Sequence, residues 1–486
     1  MPCLMRFCLL KTEFHVLPMR TRFPFRYGIA SLTTLPHLML TVKLEVAGRE
    51  ITGMASEGLA PKWFTKHPDT PVELDWAEMI AVIQNAARLG LNAARQPTGF
   101  FAWWQTLHEE QAAWGRVRRQ PALLTSLGVS LIERAVLDAL CQAAHLPLHQ
   151  LLRTDALGID LAAVRPELAG LSVHQVLPDT PLERIAVRHT VGLADSLTSA
   201  DSLSLQDGLP DTLEDSIRAY GLSFFKIKVC GDLALDLPRL REIAAVLAST
   251  CPTGYRTTLD GNEQFTDLAT FRAFEQELRA EPALRQLFES LIFIEQPLHR
   301  DHALRDDVAA ALAAWQDGPG LIIDESDADL SDLPRALDLG YCGTSHKSCK
   351  GIVKGLANAA LLRVKAASLK RAPILSGEDL ANVGPVSQLQ DLAMMALLGI
   401  PHVERNGHHY FRGLSMWPED VQAQALEHHP ELYQRHEAGF TTLKVQAGHL
   451  DLASVNAAPF GCAIPLDATR HEALKPWILA GGLSAA

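Results

Sequence analysis

Phe224-Phe225-Lys226-Ile227-Lys228-Val229 reads as a short strand carrying two lysines at alternate positions. Strand alternation puts both ammonium groups on one face. Upstream, Ile185 to Val191 reads as another strand. Downstream, short apolar runs at Thr257–Leu259, Leu291–Ile294 and Leu321–Ile323 alternate with helical segments. The helices are expected near Leu235–Ala248, Leu268–Leu278, His302–Trp315 and Leu330–Leu339. Such βαβα alternation marks a parallel sheet with crossover helices. An open doubly wound sheet and a closed barrel both satisfy it.

The charged residues choose between them. From the second run onward each strand ends in one: Lys226 and Lys228, Asp260, Glu295, Asp324, Lys347. Steps of 32, 35, 29 and 23 residues separate Lys228, Asp260, Glu295, Asp324 and Lys347. One βα unit of an eight-stranded barrel takes about 30 residues, and its active site draws on several strand ends at the carboxyl face. An open sheet would concentrate its ligands at one switch point. The spread favours a (β/α)8-type TIM barrel of seven or eight strands.

Outside the barrel, Leu38, Leu40, Val42, Leu44 and Val46 alternate with polar residues, as in a half-buried strand. Glu50 to Ala55 reads as its hairpin partner, and Leu74 to Leu91 as a helix. Ser130 to His145 reads as a helix capped by Ser130, with Glu133 completing a capping box. Residues 153–183, broken by Pro166, Pro178 and Pro181, read as an insertion or linker.

The chain has 486 residues, 48% hydrophobic and 21% charged, ordinary for a globular protein. Its net charge of −12 disfavours a nucleic-acid partner. Eight dispersed cysteines, Cys3 among them, without a C-x-x-C pair, read as reduced structural thiols and point to the cytoplasm. The opening Met1–Leu10 is apolar but brief and lacks a cleavage site, so it reads poorly as a signal peptide. No apolar run reaches about 18 residues, so no membrane span is expected.

Asp260, Glu295 and Asp324 come from three consecutive strands. Carboxylates without imidazole or thiolate suit a hard divalent cation, Mg²⁺ or Mn²⁺. Glu325 is an alternative to Asp324, because strand alternation does not choose between them. Two neighbouring ammonium groups lower each other's proton affinity, so the Lys226/Lys228 pair is expected to provide a general base. Lys347 falls on strand six and Lys228 on strand two, diametrically opposite in an eight-stranded ring. Two bases on opposite faces of one carbon can remove a proton from one side and return it to the other.

This constellation resembles the mandelate-racemase and muconate-lactonizing-enzyme branch of the enolase superfamily. The resemblance lies in Lys226-x-Lys228, Asp260-Gly261-Asn262, Glu295-Gln296-Pro297, Asp324-Glu325-Ser326 and Lys347-Ser348-Cys349-Lys350-Gly351. Glu133 to Leu152 is similar to the last helical segment of that family's cap. The resemblance covers roughly residues 25–150 and 184–415. It implies an α+β capping domain (1–152), a barrel (184–415) and a C-terminal extension (416–486) returning to the cap, with Thr441 to Val445 as the returning strand.

The resemblance further implies metal ligation by Asp260, Glu295 and Asp324, favouring Asp324 over Glu325. It makes Lys228 and Lys347 the acid/base pair, with Lys226 supporting the substrate carboxylate or tuning Lys228. The implied reaction is abstraction of the proton α to a carboxylate through a metal-stabilised enediolate. Asn262, Glu378 and Trp63 are the expected substrate-binding residues, Glu378 orienting substrate or a lysine. Mobile cap loops are expected at residues 28–34 and 56–64. The histidine-rich stretch 402–410 lacks a zinc-site pattern, with His408 or Arg405 as further candidates for substrate contact.

The expected enzyme is an isomerase: a racemase, epimerase or cycloisomerase acting on a small-molecule carboxylate, in a homo-oligomer. The alternatives are a lyase on the same site, such as a sugar-acid dehydratase or a succinylbenzoate-synthase-type enzyme, and a non-catalytic scaffold retaining the fold.

Overall fold

The computed structural model describes residues 4–315 and 318–485. The reading of Cys3 and of the first three residues falls outside them. Eight parallel strands close a ring: Arg184–Val191, Phe224–Lys228, Arg256–Asp260, Leu291–Glu295, Gly320–Ile323, Gly343–His346, Ile374–Gly377 and His402–Arg405. Strand eight pairs with strand one, Val403 opposite Val187. The five strands expected from the apolar runs are all present. The helix expected at His302–Trp315 is split into Arg300–Ala303 and Val308–Ala313.

The N-terminal part is an antiparallel sheet of Arg6–Tyr27, Ala30–Val46 and Arg49–Gly58, covered by helices Val72–Ala93, Phe100–Val117 and Ala122–Ala144. The alternating leucines and valines of the second strand turn one face to these helices, and Leu38, Leu40, Val42 and Leu44 are fully buried. Gly53 lets the last helix lie directly on the sheet, since a Cβ there would stand 2.2 Å from the Ala135 carbonyl oxygen.

That last helix starts at Ala122, not at Ser130. Ser130 lies inside it, buried, with its hydroxyl donating to the Leu127 carbonyl. Glu133 does not complete a capping box. Its carboxylate instead accepts from the Ile352 and Val353 N–H groups, at 2.9 and 2.8 Å, and so caps the barrel helix Ile352–Lys365 across the domain junction. A capping-box pattern within an apolar run does not reveal that the helix has already begun.

Residues 153–183 form helical turns at Leu161–Val164, Pro166–Leu168 and Val173–Val176 that bury Leu161, Leu168 and Val173. Elements this short show no periodicity in sequence. Thr441–Leu443 does not return to the cap; it pairs with Tyr433–Arg435 in a separate hairpin. The strand that does return is Glu472–Ala473, paired with His15 and Val16. Among the described residues, no helix is long and apolar enough to cross a membrane.

Candidate active site

Backbone register places the charged groups on one level of the ring. Lys228 stands opposite Asp260, and Asp260 opposite Glu295. Lys226 and Lys228 are both buried. Asp324 and Lys347 follow strands five and six directly, Glu378 follows strand seven, and Glu404 lies in strand eight. Gln296 sets the Asp324 turn: its Oε1 accepts from the Asp324 N–H at 2.7 Å, and its Nε2 donates to Ser326 Oγ at 2.7 Å. Gly261 packs against the Gln296–Pro297 segment itself, where a Cβ would come within 2.7 Å of Pro297 Cα.

Lys226 Nζ lies 2.6 Å from Glu378, 2.7 Å from Glu295, 3.0 Å from Asp260 and 3.1 Å from Glu404. Burial alone would depress this ammonium. The four carboxylates outweigh burial and hold it well above the usual lysine range. The expected depression of Lys226 is therefore corrected: the carboxylates lie closer to it than the sequence pattern discloses. Lys228 donates to Asp260 at 2.5 Å. Lys347 pairs with Asp324, its Nζ 4.6 Å from the centre of the Trp63 ring. Lys350, quoted in the motif without a role, donates to the Asp324 carbonyl at 2.7 Å. Burial opposes ionisation of Asp324, but Lys347, Lys350 and Lys226 hold it well below the usual carboxylate range. Burial raises Glu325 to about 7, helped by Asp324.

Glu295 differs from its neighbours. It is fully buried, and neither carboxylate oxygen has a hydrogen-bond partner, although Lys226 lies at ion-pair distance. Burial, then Asp260 and Glu378, push it well above the usual range. An unbonded buried carboxylate between two further acids suits a hard divalent cation, so this donor set fits Mg²⁺ or Mn²⁺. The expected meeting of Asp260, Glu295 and Asp324 oxygens at one point is not found. Among the described residues, no three such side chains are arranged to hold a metal ion as they stand. The acids turn to the lysine ammonium groups, their nearest positive charges.

These groups floor a cavity of about 370 Å³, open mouth included. Lys226, Lys228, Asp260, Asp324 and Lys347 all border it, as do the expected Asn262 and Trp63. Asn262 Nδ2 donates to Asp260 at 3.3 Å. Glu378 is fully buried and does not border the cavity; of its two expected roles it has the second, facing a lysine, Lys226, together with Arg188 and Ser376. The cap closes the mouth with Phe25, Tyr27, Ala60 and Trp63. A register shift between Arg20 and Phe25 precedes the first two, and such a bulge re-aims side chains. Arg300 ties the second cap loop down, donating to the Trp63 and Phe64 carbonyls at 2.9 and 3.0 Å and to Glu263 at 2.6 Å. The first expected loop is largely strand, with its turn at Gly28 and Ile29.

Arg405 and His408 do not border the cavity. Arg405 is buried against Asp391 at 2.5 Å, and His408 lies 3.0 Å from His189. The histidine-rich stretch seats the cap instead, Tyr410 stacking on Phe25 at 4.0 Å. Sequence reasoning assigned no role to Glu404, Phe25, Tyr27 or Asn406, all of which line the cavity. Glu404 had a usable signal: a carboxylate in the eighth strand, in the position of the other strand-end charges.

No protein-family model matches this sequence, and no curated protein matches it. Solved structures do. A mandelate racemase/muconate lactonizing protein from Herpetosiphon aurantiacus is 18% identical over 95% of this chain and 98% of its own, with a TM-score of 0.57. An enolase from Bradyrhizobium complexed with magnesium and mandelic acid is 15% identical over 94% and 99%, TM-score 0.53. The L-Ala-D/L-Glu epimerase from Bacillus subtilis, in a substrate-liganded complex, is 15% identical over 90% and 97%, TM-score 0.53. The chain therefore has the fold of the mandelate racemase and muconate lactonizing enzymes, a barrel with an antiparallel-sheet cap.

Proposed function

We propose that this chain is a divalent-metal-dependent enzyme of the enolase superfamily, acting in the cytoplasm, that removes the proton α to a substrate carboxylate and works as a racemase, epimerase or cycloisomerase. The observation that carries the reading is the pair Lys228 and Lys347. They stand at barrel strands two and six, with three strands between them on either side of the ring, and border one cavity. The described cysteines, all free thiols, support the location.

Asp260, Glu295 and Asp324 would hold the cation, which when bound stabilises the negative charge that develops on the substrate carboxylate. Lys228 takes the α proton from one face, and the electron pair of the C–H bond passes into the carboxylate. Lys347 delivers a proton to the opposite face. Lys226, surrounded by four acids, holds them in register and keeps positive charge under the substrate. Trp63 keeps water from Lys347.

One observation favours a second reading. Lys347 lies against both Asp324 and the Trp63 ring, a seat suited to a fixed cation. In a lyase it would support charge while Lys228 acts as the only base. Exchange of the α proton in D₂O decides. In the isomerase, Lys228→Ala abolishes exchange of one enantiomer and Lys347→Ala that of the other, each by about a hundredfold or more. Exchange confined to one enantiomer already in the wild type, and lost for that enantiomer on Lys228→Ala, supports the lyase. Exchange untouched by Lys228→Ala in a folded protein overturns both.

A further inference from the structure

The cavity has two chemically different walls. Its charged floor is already committed: Lys226 to four carboxylates, Lys228 to Asp260, Lys347 to Asp324. The two remaining acids on the wall are also partnered. Asp379 accepts from the Asn382 and Asn406 N–H groups at 2.7 and 2.9 Å. Glu404 accepts from Thr190 at 2.6 Å and from the Asp379 N–H at 3.2 Å.

The opposite wall is apolar: Phe25, Tyr27, Ala60, Trp63, Leu380 and Ala381. The Tyr27 hydroxyl donates to the Pro61 carbonyl at 2.9 Å, so its ring is what the cavity meets. The neighbouring cations are engaged, Lys66 with the Asn262 carbonyl and Arg300 with Glu263 and the cap loop. A second carboxylate on the substrate would be desolvated here beside Asp379 and Glu404 with no free cation to meet it, and a run of hydroxyls would lie against the apolar wall, both of which are costly.

One buried acceptor remains. Among the described residues lining the cavity, only Asn406 has a buried side-chain atom, Oδ1, with no hydrogen-bond partner. Asn406 is 1% exposed. A buried acceptor left without a donor is rare and calls for one.

We infer that the substrate is a compact monocarboxylate with an apolar flank and a single hydrogen-bond donor, the flank lying on Phe25, Tyr27, Trp63 and Leu380 and the donor bonding to Asn406 Oδ1. The inference rests on the proposed proton abstraction and narrows it, setting aside dicarboxylates and sugar acids. Asn406 becomes a specificity-determining residue.

The test uses the full chain with Mg²⁺ and follows α-proton exchange in D₂O by NMR for acids that differ in their flank: 2-hydroxy-4-methylpentanoate, 2-hydroxyglutarate and threonate. The expected kcat/KM is greatest for the first, by about tenfold or more. A preference for 2-hydroxyglutarate or threonate overturns the substrate class and leaves proton abstraction standing. Exchange of none of them, nor of any other carboxylate, overturns both. For Asn406 the comparison acid is 4-methylpentanoate, which lacks the donor. Asn406→Ala is expected to lower kcat/KM about tenfold for the hydroxy acid and to leave the comparison acid unchanged. Equal losses for the two acids overturn the role of Asn406.

Discussion

Glu295 is the most telling single residue. Its carboxylate is fully buried, lies between Asp260 and Glu378, and accepts no hydrogen bond. Lys226, 2.7 Å away, is shared with three other acids, and burial beside Asp260 and Glu378 disfavours the ionised carboxylate, so a neutral amide of the same shape should relieve the protein. Glu295→Gln is therefore expected to be more stable than the wild type in metal-free buffer, by about 1–3 kcal/mol in urea unfolding. Added Mg²⁺ should raise the wild-type unfolding midpoint and shift the variant less, because an ion that binds only the folded state stabilises it in proportion to its affinity. A variant less stable than the wild type without metal would refute this account of Glu295.

At the scale of the element, the helix Ala122–Ala144 joins cap to barrel. Glu133 caps a barrel helix from it, while Asp138 accepts from the Met54 N–H at 2.9 Å and from Gln142 at 2.8 Å, tying it to the cap sheet. Burial raises Asp138 to about 7, and its two hydrogen bonds offset this only in part. A carboxyl raised by folding binds its proton more tightly in the native state. Its contribution to stability is full below the unfolded value near 3.8 and is lost as pH rises through about 7. The stability of the wild type relative to Asp138→Asn should thus fall between pH 4 and pH 7 and level off above, a trend that urea midpoints across about this range will follow. A difference independent of pH would show that Asp138 stays ionised when folded.

For the whole molecule, the cap is completed from the far end of the chain. Glu472 and Ala473 pair with the first strand, and Leu474 and Trp477 behind them are buried. Removing residues 472–486 should destabilise the cap by about 3–5 kcal/mol, the range for losing large buried side chains. Limited proteolysis should then cut residues 1–152 before the barrel, and α-proton exchange should fall, because Phe25, Tyr27 and Trp63 close the site from the cap. Proteolysis beginning in the barrel would contradict this order.

The amino-acid sequence alone determined the barrel, the common level of the strand-end charges and the placement of Lys228 and Lys347 at strands two and six. Each follows from local periodicity, with a charged residue at the ends of strands two to six and about 30 residues per unit. It did not disclose the true start of the Ala122–Ala144 helix, the two-residue strand that returns to the cap, or the packed turns of 153–183, because short elements and buried helices carry no distinctive period. Tertiary structure alone decided the pairings. It surrounded Lys226 with four acids, turned Glu378 from the cavity, left Glu295 and Asn406 with unbonded oxygens, and brought Phe25 and Tyr27 over a floor built some 200 residues later. Contacts of this kind depend on distances between residues remote in sequence, which no local pattern encodes.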